Sequence, residues 1–450
     1  MEWTGEAIAR ATGGRLHGEG AAAGPVRTDT RASLAGAWFL ALSGARFDGH
    51  SFGAAAAAAG AVGGVFSRPA PGWTGSWVEV ADTTVALQDL GRAARARLAC
   101  SVVGLTGSSG KTTTRGLIAS ALAQLGEVHQ TTGNLNNHLG VPMTLLDAPE
   151  SAAAVVVEMG TSGPGEIAVL ADIARPTARL IVNVGPAHLE ELGGLDGVAR
   201  EKGALFDAAE PGDVIALNLD DPRLAAMRPR GRVITWGRDA RADVRLIEAT
   251  LDPERLATVG RYATPDGDVE VTFSVPGVHV AHNAAGALAI AFGLGLDLRR
   301  AAADLAGFAP VGMRLKVTPL AGGVLAINDA YNANPASMGA ALELLAALPG
   351  RRVAVLGDML ELGADEHAWH REVADRARAL GLELVVLCGP RMSRAGEGPW
   401  CAEAGETLVG PLADWLRPGD RVLFKGSRGA RMERVLEALA ATLEARCSTT

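Results

Sequence analysis

Residues 106–114 read TGSSGKTTT, and their surroundings decide the fold. The apolar run Ser101-Val102-Val103-Gly104-Leu105 precedes them, and Leu117, Ile118, Ala121, Leu122 and Leu125 follow at helical spacing as far as Gly126. A strand, a Gly/Ser loop and a helix opening on lysine form a phosphate cradle. Backbone N–H groups of Gly107, Ser108, Ser109 and Gly110 and the helix N-terminus face the anion. Lys111 reaches the terminal phosphates, and the Thr112 hydroxyl, followed by Thr113, can hold magnesium. The full P-loop pattern is not met, because Leu105 stands where its first glycine belongs and Gly104 lies one residue early. A glycine-rich turn that merely contains lysine is the alternative, and the flanking strand and helix argue against it. The segment predicts binding of ATP or GTP.

The 450 residues suggest two to four domains, and a hydrophobic share of 48% with 20% charged residues describes a globular protein. A net charge of −8 argues against a large nucleic-acid footprint. No apolar run approaches the roughly 18 residues of a spanning helix. The start MEWTGEAIARATGG has neither the basic nor the apolar region of a signal peptide. Cys100, Cys388, Cys401 and Cys447 are scattered without metal-finger spacing and read as reduced thiols, so the expected location is cytoplasmic. With no exposed apolar helix that demands a partner, a monomer is expected.

Three blocks follow along the chain. Residues 1–98 hold short strands (Ala37–Leu42, Ala61–Phe66, Trp77–Val80), an alanine-rich helix at Ala54–Ala59 and a helix at Leu87–Leu98. Residues 99–311 alternate strands (Val155–Glu158, Leu180–Val184, Val214–Leu217) with helices, and Val269, Val271, Phe273 and Val275 form a strand before a helix starting near His279. Residues 312–450 repeat the rhythm with Val324–Ile327, Val353–Leu356, Leu384–Leu387 and Val422–Phe424. The expected fold class is α/β, with three domains: a small amino-terminal α/β domain, a central phosphate-loop domain on a mostly parallel sheet and a doubly wound, Rossmann-like carboxy-terminal domain.

Polar residues end several strands of the central block. VVVEMGTSGPGEI (155–167) delivers Glu158, VNVGPAHLE (182–190) delivers His188 and REKGALF (200–206) presents Lys202. Open parallel sheets bind ligands outside the carboxyl ends of their strands, which puts Glu158 and His188 on the rim with Thr112. Glu158 suits magnesium; His188 is a less usual ligand, and a lone histidine after a strand more often packs or caps. Lys202 by itself reads as a surface lysine, since an ammonium cannot ligate a cation.

The phosphate loop, TTGNLNNHLGVP (131–142), EMG (158–160), NVGPAHLE and REKG occur in an order that resembles the Mur ligases, ATP-dependent amide-bond synthetases of the cell-wall peptide stem. PGVHVAHNA (276–284), GMRLKV (312–317), INDAYNANPASM (327–338), VLGDMLELG (355–363) and FKGSRG (424–429) resemble the branch that adds D-alanyl-D-alanine to UDP-MurNAc-tripeptide. The resemblance extends to TDTRASLAGAWFLALSGARFDGHSF (28–52), where the family's Asp-Ser-Arg uridine signature reads Asp29-Thr30-Arg31. It implies that Thr30, Arg31, Asp48, Gly49 and His50 contact the nucleotide-sugar. Taken alone, that segment reads as a turn-rich β domain.

The same resemblance implies a carbamylated lysine, formed with CO2, at Lys202. That group would be anionic and would help Thr112, Glu158 and His188 hold two magnesium ions, with Lys111, His188 and Lys202 as the catalytic set. The tripeptide carboxylate would attack the ATP γ-phosphate, and the dipeptide amine would then displace phosphate from the acyl phosphate. The resemblance places His279 and Asn283 at the adenine and Arg314 and Asp329 at the ribose or phosphates, with Asn328, Tyr331 and Asn332 shaping that junction. Thr131, Thr132, Asn134, Asn136 and Asn137 offer neutral donors and acceptors for the muropeptide, or satisfy their own backbone in Asx-turns. Lys425, Ser427 and Arg428 could meet the dipeptide carboxylate, although Ser427 equally fits a helix cap. Ligands from all three blocks imply domain closure and an open form without substrates.

Two rivals differ in sequence. A regulatory GTPase needs a guanine-reading NKxD motif, and the nearest stretch, Asn218-Leu219-Asp220-Asp221, has leucine in place of lysine. The family member that adds the third residue of the stem is expected to carry Asp-Asn-Pro-Arg in its last domain, which is not found here. Folylpolyglutamate synthetase, more distant, lacks the uridine domain.

Overall fold

The computed structural model describes residues 1–20, 22–44, 47–310 and 312–448. Among the described residues the central sheet has nine strands. Seven are parallel, in the order Val128–Gln130, Ala154–Glu158, Ser101–Thr106, Ala178–Ile181, Val214–Asn218, Arg232–Gly237 and Val244–Asp252. Ala257–Ala263 and Val269–Phe273 then add as antiparallel neighbours. The inner strands are valine-rich because helices cover both of their faces. The first strand in sequence lies inside the sheet, with later strands on either side, so the topological switch falls at the phosphate loop.

Register fixes the rim. Glu158 pairs with Leu105, and Ile181 pairs with Thr106, so three adjacent strands end level with one another. The helix Lys111–Ala121 buries Leu117, Ile118 and Ala121 against the sheet. Alongside it lies Val278–Gly293, an alanine-rich helix buried almost all round. Its small residues allow close approach. A Cβ on Gly286 would stand 2.9 Å from Leu180 Cδ1, and one on Gly293 only 2.2 Å from Val214 Cγ1.

The amino-terminal sheet places Val26–Arg27, Trp38–Leu40, Gly63–Phe66 and Trp77–Glu79 in parallel, with Arg15–His17 antiparallel at the edge. The helix Thr83–Arg97 joins it to the central sheet and starts four residues before the expected Leu87. Asp82 explains the early start, since its carboxylate accepts the N–H groups of Thr84 (2.6 Å) and Val85 (3.0 Å). The carboxy-terminal sheet runs Leu325–Asp329, Arg421–Lys425, Arg352–Leu356, Leu384–Cys388 and Cys401–Ala402 in parallel, with Lys316–Pro319 antiparallel outside. The α/β class, the mostly parallel central sheet and the doubly wound carboxy-terminal block agree with the sequence reading. That reading did not include the strands Arg232–Gly237, Val244–Asp252 and Ala257–Ala263.

Replacing Gly293 by Ala forces a methyl into the β-branched side chain of Val214. The expected cost is about 1–3 kcal/mol. It is read as a lower melting temperature of the central domain, with Leu294→Ala, at the partly buried end of the helix, as control.

Candidate active site

The phosphate loop is tied to the segment after Ala178–Ile181. Ser108 N–H donates to Asn183 O (3.1 Å) and Ser109 N–H to Asn183 Oδ1 (3.0 Å). Ser108 Oγ exchanges hydrogen bonds with the backbone of Gly185 at 2.9 Å. The expected strand Leu180–Val184 therefore ends at Ile181, because the following residues turn to hold the loop. Gly110 sits at φ 76°, and a Cβ there would lie 2.9 Å from Asn283 Nδ2. Both the backbone conformation and the space require glycine.

Lys111 donates to Gly107 O (2.7 Å) and keeps part of its surface open to the cleft. Burial lowers its pKa below the ordinary lysine value, Glu158 opposes that shift and Arg314 adds to it. Glu158 is the anchor of the rim. Its carboxylate accepts from Thr112 Oγ1 (2.9 Å), Arg115 Nη1 (3.1 Å) and Asn136 Nδ2 (2.9 Å), and its backbone N–H donates to Thr131 Oγ1 (2.9 Å). Arg115, absent from the sequence reading, is buried one helical turn beyond Lys111 and also donates to Gln130 Oε1 (3.1 Å). A charged residue within the buried run Thr114–Ile118 was the available signal.

A cavity of about 700 Å³ opens between the central and carboxy-terminal sheets. Ser108 through Thr113, Glu158, His188, Asn134, Asn136 and Asn137 line one side, with His279 and Asn283. Arg314, Asp329, Tyr331, Asn332, Lys425, Ser427 and Arg428 line the other. Arg314 stacks over the Tyr331 ring at 3.7 Å, and the buried Lys425 ammonium pairs with Asp329. Ser427 Oγ accepts from Leu360 N–H (2.9 Å) and donates to Ala333 O (3.2 Å), joining two loops of that wall. Arg428 is exposed and meets Glu433 at 2.9 Å. His188 Nδ1 lies 3.0 Å from Glu361 Oε2, a contact across the cleft that the sequence did not reveal. Burial lowers the pKa of His188, while Glu361 pulls it upward. His279 is lowered by burial too.

Other expected site residues stand elsewhere. Gly107, Thr131 and Thr132 flank the cavity; Thr131 is buried under Glu158, and Asn137 Oδ1 is taken by the N–H groups of Leu139 and Gly140. Asn328 lines a second cavity, with Arg255 and Lys316, rather than the first. Lys202 is 1% exposed, within the buried face of Leu195–Asp207. Burial first, then the charge of Lys111, depresses its pKa to about 7, against a smaller upward pull from Glu201. In the amino-terminal block Asp29 and Arg31 form an exposed bidentate pair beside half-buried Thr30, and the side-chain bond from Arg31 lowers Asp29 to about 2. His50 is buried: Nδ1 meets Asp48 (2.7 Å) and Nε2 accepts from Ser67 N–H (3.0 Å), while Gly49 N–H donates to Leu42 O. That ring organises the loop carrying Asp48, whose pKa falls through bonds from Ser43 and His50.

The fold and cleft define a nucleotide-binding enzyme built on two facing parallel-sheet domains. The family model described as Mur ligase middle domain matches residues 105–291, and the Mur ligase, glutamate ligase domain matches 313–428. The UDP-N-acetylmuramoyl-tripeptide–D-alanyl-D-alanine ligase of Synechocystis sp. is 39% identical over 427 residues, 92% of this chain and 91% of that protein. The crystal structure of MurF from Acinetobacter baumannii matches with a TM-score of 0.89 at 32% identity, over 98% of this chain and 99% of the other. That of MurF from Thermotoga maritima in complex with ADP gives 0.84 at 30% identity, over 94% and 98%. This chain belongs to the Mur ligase family and is a ligase.

Replacing Arg115 by Met strands the buried Glu158 carboxylate without its cation. The expected loss is about 3–5 kcal/mol, seen as a lower melting temperature, with Arg115→Lys losing clearly less.

Proposed function

We propose that this chain joins D-alanyl-D-alanine to UDP-N-acetylmuramoyl-tripeptide at the expense of ATP, giving the UDP-MurNAc-pentapeptide of peptidoglycan synthesis. The observation that carries the reading is one cleft in which Lys111, Thr112 and Glu158 face Arg314, Asp329 and Lys425. The phosphate loop holds the triphosphate, and Lys111 draws charge from its terminal phosphoryl group as the tripeptide carboxylate attacks. The dipeptide amine then attacks the acyl phosphate, and phosphate departs. Thr132, Asn134 and Asn136 supply neutral hydrogen bonds to the muropeptide, while Thr131 and Asn137 keep their loop in shape. Lys425, Ser427 and Arg428 stand at the carboxy-terminal wall, where the dipeptide carboxylate would lie. Thr30, Arg31 and Asp48 take the uridine nucleotide, with Gly49 and His50 shaping their loop.

The residues at the rim fit magnesium. A threonine hydroxyl and a carboxylate stand 2.9 Å apart beside the phosphate loop, although among the described residues no cluster of three His, Cys, Asp or Glu side chains could hold a metal alone. A magnesium ion keeps substrate phosphates and water among its ligands, so such a sparse set suffices. Thr112, Glu158, His188 and a carbamylated Lys202 would hold two ions, whose charge would offset that of the phosphates. Lys202 fits carbamylation, because an amine titrating near 7 has a sizeable neutral, nucleophilic share at neutral pH. We assign residues 1–98, 99–311 and 312–450 to the uridine-nucleotide, ATP and dipeptide-binding domains, and expect a cytoplasmic monomer. Among the described residues no helix is long and apolar enough to cross a membrane.

Phosphate release with Mg-ATP and UDP-MurNAc-tripeptide should require D-alanyl-D-alanine and fail with single amino acids, the product gaining the mass of the dipeptide. Turnover only with UDP-MurNAc-dipeptide and a diamino acid would refute the assignment. Lys111→Met should lower kcat by about 10²–10³-fold. The neutral share of Lys202 grows as pH rises through about 7, so bicarbonate added to CO2-depleted enzyme should restore activity well at pH 8 and poorly at pH 6.

A further inference from the structure

The stretch Asn218-Leu219-Asp220-Asp221 falls short of a guanine-reading motif, yet it closes the strand Val214–Asn218 on the same rim as the phosphate loop. Its polar groups are occupied. Asn218 donates to Val182 O (2.8 Å) and accepts Asp220 N–H (2.9 Å). Asp221 accepts Val184 N–H (2.6 Å) and caps the turn Pro222–Ala225. Asp220 turns instead to the helix Val278–Gly293. One oxygen lies 2.7 Å from His282 Nε2, and the carboxylate also accepts the N–H groups of Arg238 and Asp239.

His282 lines the nucleotide cavity with His279 and Asn283, on one helix face at spacings of three and four. Asn283 reaches Gly110 of the phosphate loop, so this face lies beside the bound nucleotide. The His282 ring rests on the buried Trp236 indole, with centroids 5.2 Å apart. An ionised carboxylate at Nε2 requires the proton there. The neutral ring then offers Nδ1 as an acceptor, and among the described residues no hydrogen bond is made to it.

We propose that His282, its tautomer set by Asp220, selects adenine over guanine: Nδ1 accepts from the adenine exocyclic amine and opposes the guanine carbonyl oxygen. Adenine carries a donor where guanine carries an acceptor, so one lone pair discriminates between them. This inference rests on the ATP-dependent ligase reading above.

Calorimetric titration of the full chain with Mg-ATP and with Mg-GTP, and phosphate release with each, test it on four proteins. The parent should prefer ATP by about 10²-fold or more. His282→Ala should weaken ATP about tenfold and strengthen GTP, contracting the preference by at least 30-fold or so. Asp220→Asn, which frees the tautomer, should contract it as well. His282→Gln, whose amide can donate to Asp220 and accept from adenine, should keep the preference within about threefold. Equal weakening of both nucleotides in His282→Ala, with the preference unchanged, would overturn the proposal and leave the ligase reading standing. A parent that neither binds nor hydrolyses ATP would overturn that reading, and the proposal with it.

Discussion

The Glu158 carboxylate, held by a threonine and an arginine of the phosphate-loop helix and by an asparagine of the following loop, is the interaction on which the site depends. A buried charge with no partner would destabilise the rim by several kcal/mol, so each donor must be in place. Thr112 is fixed at the start of its helix, Arg115 is drawn inward and the asparagine loop is pulled over the strand end. The level ending of the strands Ser101–Thr106 and Ala154–Glu158 makes this meeting possible, because a shift of one residue would turn Glu158 to the opposite face. Phosphate loop, metal-fitting oxygens and asparagine loop thus come from one packing solution.

The parts legible in the sequence were those whose chemistry is local. A strand, a phosphate loop and a helix are adjacent in the chain, and Glu158 follows three consecutive valines, so period and punctuation were enough to place them. The strands Val244–Asp252 and Ala257–Ala263, antiparallel to each other, escaped notice because Arg245, Glu248 and Arg261 interrupt their apolar alternation. Glu248 and Arg261 lie on a solvated face and pair across it at 3.5 Å. Arg115, His282 and Glu361 were missed for another reason. Each acquires its meaning only from a partner 43, 62 and 173 residues away, respectively Glu158, Asp220 and His188. The asparagine loop showed its composition but not its division of labour. Asn137 serves its own backbone, Asn136 serves Glu158 and Asn134 remains exposed.

The antiparallel extension also shapes the site at a distance. It carries the chain from the parallel strands back to the helix Val278–Gly293, which then lies along the phosphate-loop helix. Tyr262 helps to seat that helix by donating its hydroxyl to Ala281 O at 2.8 Å. His279 and Asn283 and the phosphate-loop residues thereby belong to one packed unit around the central sheet. The opposite wall, bearing Arg314, Asp329 and Lys425, belongs to a separate sheet.

Those two bodies meet where His188 touches Glu361, and both residues hold left-handed backbone conformations, at φ 51° and φ 64°. Such a conformation costs a non-glycine residue of order 1–3 kcal/mol, whereas a partly exposed pair returns about 0–1 kcal/mol. As a fastener the contact therefore contributes little. This bridge ties the two walls of the cleft together only weakly. The protein keeps its jaws together at this point on a detent rather than a lock.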